Sequence, residues 1–317
     1  MSTDQSSGVR TIAGFWRRLG AFFLDCLLLG AIGVTAGFFL IDEFVRLGPW
    51  GRLLGFSVAI AYFGIFNSRL TGGQSVGKRL LNIKVVAKDG TPLTVQKSFL
   101  RFIPLGAPWF LNNAQFPESV LFSFWLYVLS ILVFGLGLSI VYLYVFNRKS
   151  RQSLHDLLVD SYVVPAGATG PVASTAPWRV HLAVTALLLA AAGVAPYFTK
   201  NLAVNEPIAS LMNVGRAVSS EPWVVHVRIN KGKTFTATTG KGNSTTTYLG
   251  VTAFSKDRDI ENVARAKRLA NLALLADSSA GGLDAIQVTL TYGYDIGIAS
   301  SWRSQNYAHS PAEWLAQ

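Results

Sequence analysis

Half of the 317 residues are hydrophobic and only 14% are charged, against about 25% in an ordinary soluble chain, while the net charge is +11. The charge deficit is confined to a few long apolar stretches with Lys and Arg at their ends, so the positive balance points to a membrane, whose short cytoplasmic loops collect basic residues, rather than to nucleic acid. Cys26 is the sole cysteine, which excludes intrachain disulfides and a cysteine-ligated metal site.

The first apolar stretch, residues 15–41, has the length of a bilayer span. It is too long for a secretory signal core and contains Asp25, and LGAFF after Arg17-Arg18 departs from a twin-arginine export pattern. Asp25 falls near mid-membrane, about ten residues into the helix. An ionised carboxylate there costs about 2.5–3.5 kcal/mol on insertion scales, so it requires a partner inside the bundle. Arg18 lies two turns earlier on the same face, roughly 10 Å along the axis. Asp25 reads either as an ion or proton site or as a polar clamp between helices, and the clamp is preferred. Asp42 is expected in an outer loop.

The second stretch, 53–66, is short, with Trp50, Tyr62 and Phe66 as candidate interfacial aromatics. GGQSVGKR follows at 72–79. Gly73-Gln74-Ser75-Val76-Gly77 fits a nucleophile elbow, but that motif needs a preceding strand and here a span precedes it. The same residues nearly fit a P-loop, but Arg79 stands where a Mg²⁺-binding hydroxyl belongs. The plainer reading is a glycine-rich turn leaving the membrane, then a basic stretch at the headgroups worth about 1 kcal/mol per residue on anionic lipid. Ser75 is then only a turn residue.

Residues 99–111 are apolar but carry Arg101, Pro104 and Pro108. Charge placement favours a short, proline-distorted crossing here over a dip and return of the next stretch, 120–146. Arg17 and Arg18 put the N-terminus inside, as do Lys78, Arg79, Lys84, Lys88 and Lys97 for one loop and Arg148, Lys149 and Arg151 for another. Residues 153–158, SLHDLL, form a short amphipathic element. His155 and Asp156 are adjacent, so on a helix they diverge, and Asp156 is expected to pair with a loop cation such as Arg79 or Arg101. His181, His226 and His309 show no metal spacing.

Residues 165–177, PAGATGPVASTAP, read as a flexible linker. A last span, 180–198, then places residues 199–317 outside. That segment reads as a helix at 208–218, strands at 223–229, 233–239 and 245–254 (the last after the turn GKGN), an amphipathic helix at 259–276 and a strand at 284–294. Four strands and two helices predict an antiparallel sheet with helices on one face.

WRRLGAFFLD, GGQSVGKRLLNIKVVAKDGTPLTVQKSFLR and RQSLHDLLVDSYVV together resemble the RDD family, over residues 14–164. The resemblance implies a helical membrane domain with a cytosolic loop carrying G-Q-[ST]-x-G-K, and it matches Arg18, Asp25 and Asp156 to the Arg and two Asp of the family name, with Arg17 as the adjacent candidate. Transport is the role usually suggested for the family. The long third span, the added helix and the outer domain depart from it.

The expected fold class is an α-helical multispanning membrane domain (1–164), a linker (165–179), a transmembrane helix (180–198) and a small α+β extracytoplasmic domain (199–317). The candidate polar network is Arg18, Asp25 and Asp156, supported by Arg17, Gly73, Gly77, Lys78, Arg79, Arg101 and His155. No metal, cofactor, nucleic acid or enzymatic activity is expected. Expected partners are the lipid bilayer with its anionic headgroups, and a second copy of the chain or an envelope protein. The favoured function is a scaffold or sensor in the cell membrane, whose outer domain binds an envelope component or protein; the alternative is transport or ion coupling through Asp25.

Overall fold

The computed structural model describes residues 12–116, 118–121, 123–173, 176–199, 206–238 and 242–316. By compactness the chain forms two units. One comprises the chain up to Thr35, Arg52–Phe198 and Ile296–Ala299; the other comprises Ala36–Gly51, Thr199–Asp295 and the chain from Ser300.

Helix α1, Phe15–Leu47, outruns the expected end at residue 41 and is non-helical only at Leu40. It stops where Gly48 takes φ +50°, a left-handed backbone that glycine adopts freely, and Pro49 follows. Asp42 therefore lies on a helix and not in a loop. Within the second unit it accepts hydrogen bonds from Tyr292 and from Arg258 Nη2, the latter at 2.9 Å.

Next come α2 (Gly51–Phe66), α3 (Val76–Leu80), β1 (Ile83–Ala87) and α4 (Val95–Leu111). The helix expected at 99–111 is four residues longer at its start, because Thr94 caps it by accepting from the Lys97 N–H. At 17 residues, α4 is about 26 Å long. Helix α5, Phe124–Phe146, holds a π turn at Ile131–Gly135. It is followed by α6 (Leu154–Leu158), β2 (Ser161–Pro165) and α7 (Arg179–Thr199). The π turn faces α7, where Ser130 Oγ donates to the Ala192 carbonyl at 2.6 Å and Gly135 lies against Leu189 and Ala192. Among the described residues, three helical stretches are long and apolar enough to cross a membrane: Phe15–Phe66 (α1 with α2), Phe124–Phe146 and Arg179–Phe198.

The loop between α2 and α4 is not merely a basic loop. Its β1 pairs antiparallel with β2, Val85 opposite Val163, over a small core of Ala13, Ala21, Ile83, Leu93 and Val159. The stretch 165–177 is likewise less free than its composition suggests. Pro165 ends β2, and Val172 is buried against Val86, Tyr162 and Val164, with its N–H on the Lys88 carbonyl. Residues 174–175 of that stretch lie outside the described residues. Between the long helices, Phe63 stacks on Phe102 with ring centroids 5.0 Å apart, in a core shared with Leu29, Ala59 and Phe110.

The second unit contains α8 (Glu206–Ser219), β3 (Val224–Thr238), β4 (Gly242–Ser255), α9 (Val263–Ala276), β5 (Ala285–Asp295), β6 (Ser300–His309) and α10 (Pro311–Ala316). The sheet order is β3-β4-β5-β6. Three expectations are corrected. The strands expected at 223–229 and 233–239 are one strand, because Gly232 sits in the ladder opposite Tyr248 instead of turning the chain; residue 239 and residues 240–241 of the expected turn lie outside the described residues. The sheet is mixed, since β4 and β5 run parallel, a geometry that needs a crossover, supplied by α9. Finally, the polar edge strand β6 had no apolar alternation to reveal it, and its side chains are mostly exposed. Leu249, Val251, Leu269, Ile286, Val288 and Trp314 are central to the core.

Candidate functional site

One face of α1 is buried at Arg18, Ala21, Asp25 and Leu29, the three- and four-residue spacing of a helical stripe. Asp25, fully buried, meets the turn that follows α2. Gly72 and Gly73 take φ +70° and +76°, and a Cβ on Gly73 would overlap the Val85 carbonyl, so both bends require glycine. Gln74 fixes the far side by donating to the Ile83 carbonyl at 2.9 Å. The chain then lays α3 against α1 so closely that a Cβ on Gly77 would overlap the Ala21 carbonyl.

This approach delivers the donors. Asp25 Oδ2 accepts from Ser75 Oγ at 2.5 Å, while Oδ1 accepts from Tyr62 Oη and the Gly77 N–H, each at 2.7 Å. Lys78 Nζ stands 3.9 Å from Oδ2 and donates to Ser75 Oγ at 3.1 Å. GGQSVGK is thus a clamp for a buried carboxylate. Ser75 is thus not a bare turn residue, Lys78 is buried instead of exposed, and Tyr62 serves as a donor to Asp25.

Asp156 forms the second cluster. It is the third residue of α6 and closes a capping box with Ser153. Arg18 Nη2 donates to Oδ2 at 2.7 Å; Arg101 Nη2 and Nε donate to Oδ1 at 2.6 and 3.0 Å, and Ser161 Oγ to the same oxygen at 3.2 Å. Arg18 also donates to the Arg151 carbonyl. Adjacent His155 does not diverge: it is buried with Nε2 3.6 Å from Asp156 Oδ2. Burial pushes the His155 imidazole down to about 3, so it is neutral at pH 7. Burial also works to raise the Asp156 carboxyl, but neighbouring positive charge overrides it and holds the group well below the usual carboxylate range; with His155 neutral, Arg101 and Arg18 supply that charge. Burial, then the charge of Arg101, brings the Lys78 ammonium down to about 8 against the pull of Asp25.

The structure therefore gathers Arg18, Arg101 and His155 around Asp156, and Gly77 and Lys78 around Asp25, with Gly73 shaping the approach. Arg17 instead donates to the carbonyls of Leu81 and Asn82, and Arg79 is exposed. Tyr62, Ser75, Gln74, Ser153 and Ser161 were missed. Only Ser153 carried a local signal, a serine three residues before an acid at a helix start.

The comparison with known proteins decides what this pair of clusters belongs to, because the RDD family model covers residues 12–160, from just before α1 to the turn before β2. Residues 12–160 belong to the RDD family. The chain is also similar to the uncharacterized protein YckC of Bacillus subtilis (strain 168), at 27% identity over 154 residues, 49% of this chain and 85% of that protein. No solved structure is significantly similar to the chain. Among the described residues of the RDD segment and beyond it, no group of three His, Cys, Asp or Glu side chains could hold a metal ion.

Proposed function

We propose that this chain is a multi-pass scaffold or sensor of the cell membrane, without catalytic function. Its RDD segment is the anchor, and its C-terminal domain binds an envelope component or protein. The observation that carries this reading is the saturation of both acids. Each oxygen of Asp25 and of Asp156 already accepts at least one hydrogen bond. Fully satisfied buried networks rigidify a structure, whereas a site that exchanges ions needs acceptors it can free.

In this reading α1, α2, α4, α5 and α7 all cross, which leaves the N-terminus and the loops with Lys84, Lys88, Arg148 and Lys149 in the cytoplasm. The C-terminal domain is then extracytoplasmic. The partners are the bilayer with its anionic lipid, and a second copy or an envelope protein. Reporter fusions at Gly90 and Ala280 report opposite sides of the membrane if this topology holds; the same side for both removes it.

One observation favours transport as a second reading: Lys78, down at about 8, stands beside Asp25 on a cavity wall. Purified protein in liposomes separates the two. The scaffold moves neither protons nor sodium, whereas flux that is lost in a folded Asp25→Asn protein establishes transport.

A further inference from the structure

A cavity of about 380 Å³ lies between the start of α1 and the end of α5, with Arg18, Arg148 and Arg151 on its wall. Among the described residues no Asp or Glu lines it. Arg18 is not neutralised within the protein, because it shares Asp156 with Arg101: two guanidiniums meet one carboxylate and a positive charge is left over. Arg148 and Arg151 add two more. Both are exposed, and neither has a carboxylate within 4 Å among the described residues. The wall therefore lacks a compensating anion.

The turn that carries these arginines is built to hold them in place. Asn147, Ser150, Gln152 and Ser153 are buried, while Arg148, Lys149 and Arg151 are exposed. Asn147 Nδ2 donates to Ser150 Oγ at 2.7 Å and to the Gln152 carbonyl at 2.9 Å, and Gln152 Nε2 donates to the Ser161 carbonyl at 3.1 Å. Arg151 has φ +50°, a left-handed backbone that glycine adopts freely and other residues rarely do. Its N–H donates to the Asn147 carbonyl at 2.9 Å and its own carbonyl accepts from Arg18, while its Nη1 reaches the Ile12 carbonyl at 2.8 Å. An arginine kept in such a backbone is the kind of strain that gathers at ligand sites, and four of its five guanidinium N–H groups are not used by the Ile12 contact. The opposite side of the cavity is Phe15, Trp16, Tyr144 and Val145. Trp16 and Val145 are exposed, as are Leu19 and Val141 one turn further along the same two helices.

We propose that this cavity binds one anionic phospholipid, with its phosphate at Arg148 and Arg151 and its glycerol and first acyl carbons against Trp16 and Val145. Guanidinium forks match the oxygens of a phosphate, and basic pockets between membrane helices suit anionic headgroups. A zwitterionic lipid brings a cation of its own to a wall that already has three. A soluble phosphate ester leaves the aromatic side uncovered. The inference rests on the reading of the RDD segment as a membrane anchor. Reporter fusions test that topology and lipid retention tests this site, so the two can fail separately.

The test is native mass spectrometry of the full-length protein, released from micelles holding equal phosphatidylglycerol and phosphatidylcholine with matched chains. The unmodified protein is expected to retain phosphatidylglycerol in preference, and Arg148→Gln to lower that preference about fivefold, equivalent to about 1 kcal/mol. The Arg148 side chain has no hydrogen-bond or ion-pair partner among the described residues, so this variant keeps the unfolding midpoint of the unmodified protein in SDS. Lys149→Gln removes the same charge from the same turn, but Lys149 does not line the cavity, and the preference is expected to stay within about twofold, well short of the loss of a basic contact. Equal falls for Arg148→Gln and Lys149→Gln overturn the proposal in favour of a diffuse basic surface. Equal retention of the two lipids by the unmodified protein overturns it outright. Displacement of the retained lipid by excess glycerol phosphate, which lacks acyl chains, would reassign the site to a soluble phosphate ester and overturn it as well.

Discussion

Replacing Asp25 by alanine removes the acceptor for three donors at once: Ser75 Oγ, Tyr62 Oη and the Gly77 N–H. It also strands the Lys78 ammonium, which is buried and has no other carboxylate within 4 Å among the described residues. Breaking one side of a buried charge pair costs about 3–5 kcal/mol. The individual hydrogen bonds are part of that figure and are not added to it, because they share one acceptor. Asp25→Asn differs in a calculable way. Its amide oxygen still serves Tyr62 and Gly77, and Ser75 can rotate to accept from the amide nitrogen. What is lost is the negative charge beside Lys78, which at about 8 can shed its proton at modest expense. The expected cost is about 1–3 kcal/mol. The assay is unfolding in mixed micelles titrated with SDS, followed by tryptophan fluorescence. Asp89→Ala serves as the control, because that carboxylate is exposed and its hydrogen bonds to Thr91 are local to one turn; Asp42, bonded to Tyr292 and Arg258, is unsuitable. The predicted order of midpoints is Asp89→Ala equal to the unmodified protein, then Asp25→Asn, then Asp25→Ala. If Asp25→Ala unfolds at the same SDS fraction as Asp89→Ala, the clamp contributes nothing to stability.

Ser75→Ala should cost about 1.5–3 kcal/mol in the same assay, the range for a hydrogen bond to a charged group; an unchanged midpoint would return Ser75 to the status of a turn residue. Gly77→Ala should cost at least the 1–3 kcal/mol typical of overpacking, because its Cβ overlaps main chain at Ala21, and Gly72→Ala, whose Cβ meets nothing within 4 Å, separates that steric cost from left-handed strain. With its pKa lowered from 6.5 to about 3, folded His155 stays neutral while the unfolded chain takes up a proton below 6.5, so its contribution to stability is complete above about pH 6.5 and falls away as pH drops towards 3. At pH 5 the loss is about 2 kcal/mol, and His155→Gln should flatten the stability profile between pH 7 and 5; an unchanged slope would show that His155 titrates normally.

Local pattern alone determined much of this protein. Apolar length gave the helical stretches, seven-residue spacing put Arg18 and Asp25 on one face, and Pro, Gly and Ala/Leu composition separated the two halves of the chain. An isolated carboxylate is so unfavourable among apolar neighbours that the sequence also required Asp25 to have partners. It did not determine which ones. Tyr62 and Ser75 are 37 and 50 residues away, and neither differs locally from an interfacial tyrosine or a turn serine. The β1–β2 ribbon, the parallel pairing of β4 with β5 and the edge strand β6 were hidden for the same reason, since strand pairing is a non-local hydrogen-bonding choice and five apolar residues are ambiguous alone. Hydrophobicity and periodicity act residue by residue along the chain, whereas the identity of a buried charge's partner is set by the backbone approach that two glycines, Gly73 and Gly77, permit.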